Sequence, residues 1–239
     1  MAAYVLVHGA WGGSYGFRKL RPPLQSPGHE VFTPSLTGIG ERSHLTSPLV
    51  NLSTHVRDVV NTIIYEDLDD IVLLGFSYGG MVITGALEHI GDRVRDLVYL
   101  DAFVPENGQS VRALLESGEP RPSMALGEEW LIPPIPRELD DPAETAWSNA
   151  RRTHQPAATF TEPVRLDRPL ETWEFSRTFI KASADASETP TSAFWRAARA
   201  AEASPAWAYH EVTTSHMVPI TQPERLATIL LDLVAARAT

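Results

Sequence analysis

Two hydrophobic patterns alternate along most of the chain. Short runs rich in apolar residues, at Tyr4 to Val7, Glu30 to Pro34, Ile71 to Leu74, Asp96 to Ala102, Thr178 to Ala182 and Trp207 to Val212, have the length of buried strands. Between them lie segments of helical character. Arg18 to Leu24 is expected to be a short helix closed by Pro22, Pro23 and the turn Pro27-Gly28. A longer helix, capped by Ser53 or Thr54, is expected to run to about Glu66 with Val56, Val59, Val60, Ile63 and Ile64 on one face. Met81 to Leu87, Thr191 to Ala203 and Pro223 to Ala236 complete the set. The alternation predicts an α/β fold built on a mostly parallel, doubly wound sheet of about six strands with helices on both faces.

The alternation stops after Phe103. From Pro105 to roughly Trp173 the chain is dense in proline and charge, as in Glu119-Pro-Arg-Pro122, Trp130 to Pro136 and Asp140-Asp-Pro142, with only short helical patterns such as Ser110 to Leu115. So long an excursion reads as an insertion. The expected organisation is a core made of residues 1–104 and 175–239, with a cap insertion over 105–174. There is no internal repeat or low-complexity tract.

Charge and composition narrow the partners. The 239 residues suit one α/β domain, and 20 Lys plus Arg against 30 Asp plus Glu leave a formal charge of −10. Such a surface repels nucleic acid and anionic membranes. The absence of cysteine removes disulfides, thiolate nucleophiles and sulfur-ligated metals. The N-terminus has no basic region and its apolar run stops too early for a signal peptide, while Asp232 and Arg237 break the apolar C-terminal segment. A cytoplasmic protein is expected, monomeric or homodimeric, acting on a small molecule.

The chemistry centres on Ile71 to Leu87, which reads as a strand, a sharp turn and a helix. The turn, Gly75-Phe-Ser77-Tyr-Gly79-Gly80, carries G-x-S-x-G. In that context Ser77 is held on a strained turn above the sheet edge, and a Cβ at Gly75, Gly79 or Gly80 would collide with a neighbouring strand or helix. Ser77 also opens the helix, so the N–H of Tyr78 points at whatever Ser77 attacks. A serine nucleophile needs a base and an orienting acid. Of eight histidines, His216 is the candidate base, because it follows a strand through the short loop Thr213 to Ser215 and so lies at the same sheet edge as Ser77. His8 is expected to brace its loop by hydrogen bonding. The other six histidines are expected at the surface or paired in the core. Two carboxylates end strands between Ser77 and His216, namely Asp101 and Asp185. Asp185 is favoured, since its strand should neighbour the one that delivers His216.

Several stretches together resemble the α/β-hydrolase superfamily, and within it the small bacterial esterases related to plant methylesterases and hydroxynitrile lyases. They are His8 to Gly13, Thr33 to His44, Gly75 to Gly80, Leu100 to Pro105 and Ser215-His216. The resemblance implies Ser77 as nucleophile, His216 as base and Asp185 as acid. The N–H groups of Ala10 and Tyr78 would form the oxyanion hole, a cap would cover the pocket, and no cofactor or metal would be needed. Trp11, Trp130, Phe160 and Met217 are candidate substrate contacts in a largely apolar site. Gly12 to Gly16 departs from relatives, which usually carry His and Trp there. In the lyases of the family a lysine follows the catalytic histidine and a threonine occupies the loop after the first strand; here the residues are Met217 and Ala10. An ester hydrolase is therefore expected. Same-triad cyclisation, C–C cleavage or lyase chemistry, and a non-catalytic binding protein on the same scaffold, are the alternatives.

Overall fold

In the computed structural model, residues 1–116, 130–185 and 189–236 are described; Glu119 to Pro122 fall outside them. The strands are β1 (Ala3–Val7), β2 (Glu30–Phe32), β3 (Ile71–Phe76), β4 (Val94–Leu100), β5 (Leu131–Ile132), β6 (Gln155–Pro156), β7 (Ser176–Ala182) and β8 (Ala208–Val212). Six of them form one sheet in the order β2-β1-β3-β4-β7-β8, with every neighbouring pair parallel. β5 and β6 pair antiparallel in a separate two-stranded ribbon. The expected six-stranded doubly wound sheet is the one observed.

The side-chain alternation along each strand splits the core in two. Val5, Val7, Leu73, Leu97, Tyr99 and Phe179 face one layer, and Tyr4, Leu6, Val72, Leu74, Val98 and Ile180 the other. The first layer is covered by α2 (Leu52–Tyr65), α3 (Gly79–Ile90) and α7 (Ala193–Glu202). The second is covered by α1 (Arg21–Gln25) and α9 (Pro223–Ala235). Between β4 and β7 the chain carries α4 (Val111–Glu116), α5 (Pro142–Asn149) and α6 (Ala158–Thr161), and the short α8 (Val218–Thr221) precedes α9. Among the described residues no helix is long and apolar enough to cross a membrane.

Two local expectations change. Pro22 and Pro23 lie in the first turn of α1 and open it, as suits a residue without an N–H where the helix needs none. The cap of α2 is Asn51, whose side chain accepts from Thr54 N at 3.0 Å while Thr54 Oγ1 accepts from Asn51 N at 3.4 Å. Thr54 is thus the reciprocal partner and not the cap.

The turn between β3 and α3 is crowded. A Cβ built on Gly75 would sit 2.7 Å from the Gly79 carbonyl carbon, one on Gly79 2.5 Å from Val7 O, and one on Gly80 2.1 Å from Phe103 O. The helix therefore rests on the backbones of β1 and of the chain leaving β4, which fixes the height of Ser77 over the edge. Gly16, with nothing within 4 Å of its would-be Cβ, has no such constraint. Gly80→Ala is expected to destabilise the protein by about 2 to 3 kcal/mol, lowering the thermal midpoint by roughly 5 to 10 °C, while Gly16→Ala leaves it unchanged. Differential scanning fluorimetry of both variants checks this, and equal midpoints would show that the turn relaxes freely.

Candidate active site

Three residues at the carboxyl edge of the sheet have positive φ: Trp11 (59°) beyond β1, Ser77 (57°) after β3 and Asp101 (43°) after β4. Left-handed backbone in bulky or branched residues carries strain and persists only where the surroundings enforce it. Here they do. Ser77 N donates to Leu100 O at 3.1 Å, Phe103 N to Ser77 O at 3.2 Å, and Asp101 N to Ile180 O at 2.8 Å, so the β3 and β4 turns are tied to each other and to β7. Ser77 itself is half-buried, and its Oγ makes no hydrogen bond to another described residue.

His216 is buried between two rings, with Phe76 at 4.8 Å and Phe194 at 5.2 Å, the latter stacked at 6°. Its Nδ1 lies 2.6 Å from Asp101 Oδ2. Asp185, the acid favoured by strand order, does not meet the ring: its Oδ2 accepts from the main-chain N of His216 at 3.2 Å and lies 3.7 Å from Arg137 Nη1. The expectation is corrected for a geometric reason. Asp185 holds the backbone of His216, the imidazole turns the other way into its aromatic slot, and Asp101 is carried over β7 to meet it. Burial pulls the imidazole below its ordinary value, against the Asp101 hydrogen bond that acts to raise it, so the ring rests neutral with its proton on Nδ1. The other oxygen of Asp101, Oδ1, accepts from Lys181 Nζ at 2.6 Å, a fully buried contact the sequence reading did not single out. A signal was present: a lysine inside the otherwise buried strand Thr178 to Ala182 needs a partner.

The loop after β1 is braced from two sides. His8 Nδ1–H donates to Gly9 O at 2.9 Å and its Nε2 accepts from Leu36 N at 3.1 Å, the bracing role expected for it. From the other side, Trp11 N donates to Gln155 Oε1 (3.0 Å), Trp11 Nε1 to Ile132 O (3.2 Å), and Thr153 N to Trp11 O (3.0 Å). The N–H groups of Ala10 and Tyr78 make no hydrogen bond to another described residue. Tyr78 is fixed in turn by His55, whose Nε2–H donates to Thr37 O (2.7 Å) and whose Nδ1 accepts from the Tyr78 hydroxyl (3.0 Å). Burial takes the His55 pKa down to about 3, which keeps that ring neutral.

The four candidate substrate contacts separate. Met217 lines a small cavity of about 30 Å³ together with His8, Ala10, Gly12, Phe76 and Arg152. Trp11 and Phe160 do not line it: their rings pack edge to face at 5.7 Å, and Phe160 also stacks on Tyr78 at 5.6 Å, joining the intervening segment to the loop after β1 and to the turn after β3. Trp130 is exposed. Arg152 brings a cation the apolar expectation left out; burial, with Arg137 nearby, brings its pKa to about 10. A larger cavity of about 610 Å³, bounded by Val104 to Asn107, Leu166 to Glu171 and part of α7, includes neither Ser77 nor His216. The lining of the smaller cavity includes neither of them either, so cavity size does not single out the edge that carries Ser77.

The chain is similar to known proteins in sequence and in fold. Residues 4–229 match the alpha/beta hydrolase family. The chain is 39% identical over 246 residues to a carbendazim hydrolyzing esterase of Nocardioides sp. (strain SG-4G), covering 98% of this chain and 100% of that protein. It is 30% identical over 104 residues to an alpha-hydroxynitrile lyase of Arabidopsis thaliana, covering 43% of this chain and 40% of the lyase. Its fold is similar to that of an extracellular alpha/beta-hydrolase from a Paenibacillus species, with a TM-score of 0.81 at 22% identity over 97% of this chain and 98% of the other. The chain belongs to the α/β-hydrolase family, among its esterases.

Proposed function

We propose that this esterase is a serine hydrolase that works through Ser77, His216 and Asp101, with an acyl-enzyme intermediate. The observation that carries the reading is the buried 2.6 Å contact from His216 Nδ1 to Asp101 Oδ2 at the edge that presents Ser77. With its proton on Nδ1, His216 offers Nε2 as the base. That nitrogen takes the Ser77 proton as Oγ attacks the carbonyl, and returns it to the departing alcohol or amine. The contact from base to serine closes on the bound substrate. The N–H groups of Ala10 and Tyr78 receive the oxyanion, each worth about 3 kcal/mol in such sites. Water, activated by the same imidazole, then releases the acid. Asp185 anchors the histidine loop. No metal or organic cofactor enters any step.

The substrate is a neutral ester or carbamate of small to medium size. The carbendazim-hydrolyzing relative supports this class. The segment between β4 and β7 acts as the cap of the site. Met217 and Ala10, standing where the lyases carry lysine and threonine, favour hydrolysis over cyanohydrin cleavage.

Ser77→Ala is expected to lower hydrolysis of p-nitrophenyl butyrate to background with an unchanged circular dichroism spectrum; residual turnover above a few per cent would remove Ser77 from its role. Asp101→Asn should lower kcat by roughly 10³- to 10⁴-fold, and Asp185→Asn by less than about tenfold. The reverse order in steady-state kinetics would return the acid to the β7 loop. For specificity, kcat/KM is expected to be higher for carbendazim and for neutral p-nitrophenyl esters of moderate length than for a carboxylate-bearing analogue. A preference for the anion that fades with added salt would instead assign substrate binding to Arg152.

A further inference from the structure

Lys181 lies in β7, in register with Glu211 of β8, and is fully buried. Its ammonium donates to Asp101 Oδ1 and to Ala182 O, both at 2.6 Å, and lies 4.7 Å from the centre of the Trp195 ring on α7. Ala182 N also approaches Asp101 Oδ1, at 3.3 Å. One carboxylate oxygen is thus held by β7 and the other is left for His216. We propose that Lys181 is a positioning residue of the hydrolysis, fixing Asp101 through Oδ1 so that Oδ2 faces His216 Nδ1, and balancing the charge of that carboxylate in the buried site.

The proposal rests on Asp101 being the acid of the triad. An isolated buried carboxylate against an imidazole favours the imidazolium, because the proton then neutralises the pair. With Lys181 in place the pair of Lys181 and Asp101 is already neutral, and protonating His216 adds a net charge where water does not reach. The charged groups acting on His216 are Asp101 from the β4 end, Asp185 from the β7 end and Arg137 from the segment between those strands. The two carboxylates favour protonation; Arg137 opposes it, and Lys181 opposes it through Asp101. Near the same carboxylate β8 contributes Tyr209, whose hydroxyl is bonded to Glu211 at 2.7 Å, and α7 offers Lys181 the uncharged Trp195 ring. The consequence is a base that stays neutral into mildly acidic solution. The cost is weaker support for the imidazolium that forms during the reaction.

The test is kcat/KM for p-nitrophenyl butyrate from pH 5 to 9, in the wild type and in Lys181→Gln and Lys181→Met. The base must be neutral to act, so activity falls as pH drops through its pKa. Removing the cation should raise the midpoint of that acidic limb by about one pH unit in both variants. Lys181→Gln, which keeps an N–H for Oδ1, should hold its plateau kcat within several-fold, and Lys181→Met should lose about tenfold or more. An acidic limb unmoved in a folded Lys181→Gln protein would overturn the proposal. Where neither variant folds, or the wild type turns over no ester, ¹⁵N NMR of the wild-type imidazoles decides. A neutral His216 at pH 6, below the ordinary histidine value of about 6.5, is expected. An imidazolium persisting at pH 7 would overturn the proposal without touching the assignment of Ser77, which the Ser77→Ala kinetics judge separately.

Discussion

The carboxylate of Asp101 gives one oxygen to His216 Nδ1 and the other to Lys181 Nζ, and all three side chains are buried. Desolvating a carboxylate, an ammonium and an imidazole together is costly unless their hydrogen bonds are complete, and here each charge has a partner. Removing one member would leave another buried without its counterpart. The strained backbone of Asp101 follows from the same demand. Its left-handed φ of 43° is held by the bond from its N–H to Ile180 O, which carries the residue across to β7, where the lysine waits. Strain, charge pairing and the orientation of the His216 ring are therefore one arrangement seen from three sides.

Most of the fold was legible in the sequence because its signals are local or periodic. Six apolar runs gave six parallel strands, and the spacing of Gly75, Ser77, Gly79 and Gly80 gave a turn whose crowding the Cβ contacts bear out. What local signals miscast were boundaries governed by single hydrogen bonds, such as the Asn51 cap, and by the asymmetry of proline, which opens α1 where a stop was expected.

Of the site proposed here, the turn carrying Ser77 and the loop carrying His216 were legible in the sequence, but the carboxylate that meets the His216 ring was not. Strand adjacency argues for Asp185, and adjacency is the right argument for where a Cα lies. It does not say which way a ring turns. That is decided by Phe76 and Phe194, residues far apart in sequence that meet only in the folded protein. Lys181 was hidden for a related reason, since one charged residue in a short strand carries no periodic signal. The aromatic residues of the intervening segment were read as pocket walls because apolar residues in an irregular stretch must bury against something. In the structure Phe160 buries against Trp11 and Tyr78.

The segment between β4 and β7 holds the loop after β1 by three hydrogen bonds at Trp11, from Gln155, Ile132 and Thr153, and by a fourth contact in which Tyr15 donates to Arg151 O at 2.8 Å. That segment and the loop after β1 are therefore one mechanical part. A chimera that transplants this segment from another esterase to alter selectivity also replaces the fasteners of the loop that carries Ala10. On the function proposed above, substrate choice and catalytic rate would then be inherited as a single module, and redesign of one would be redesign of both.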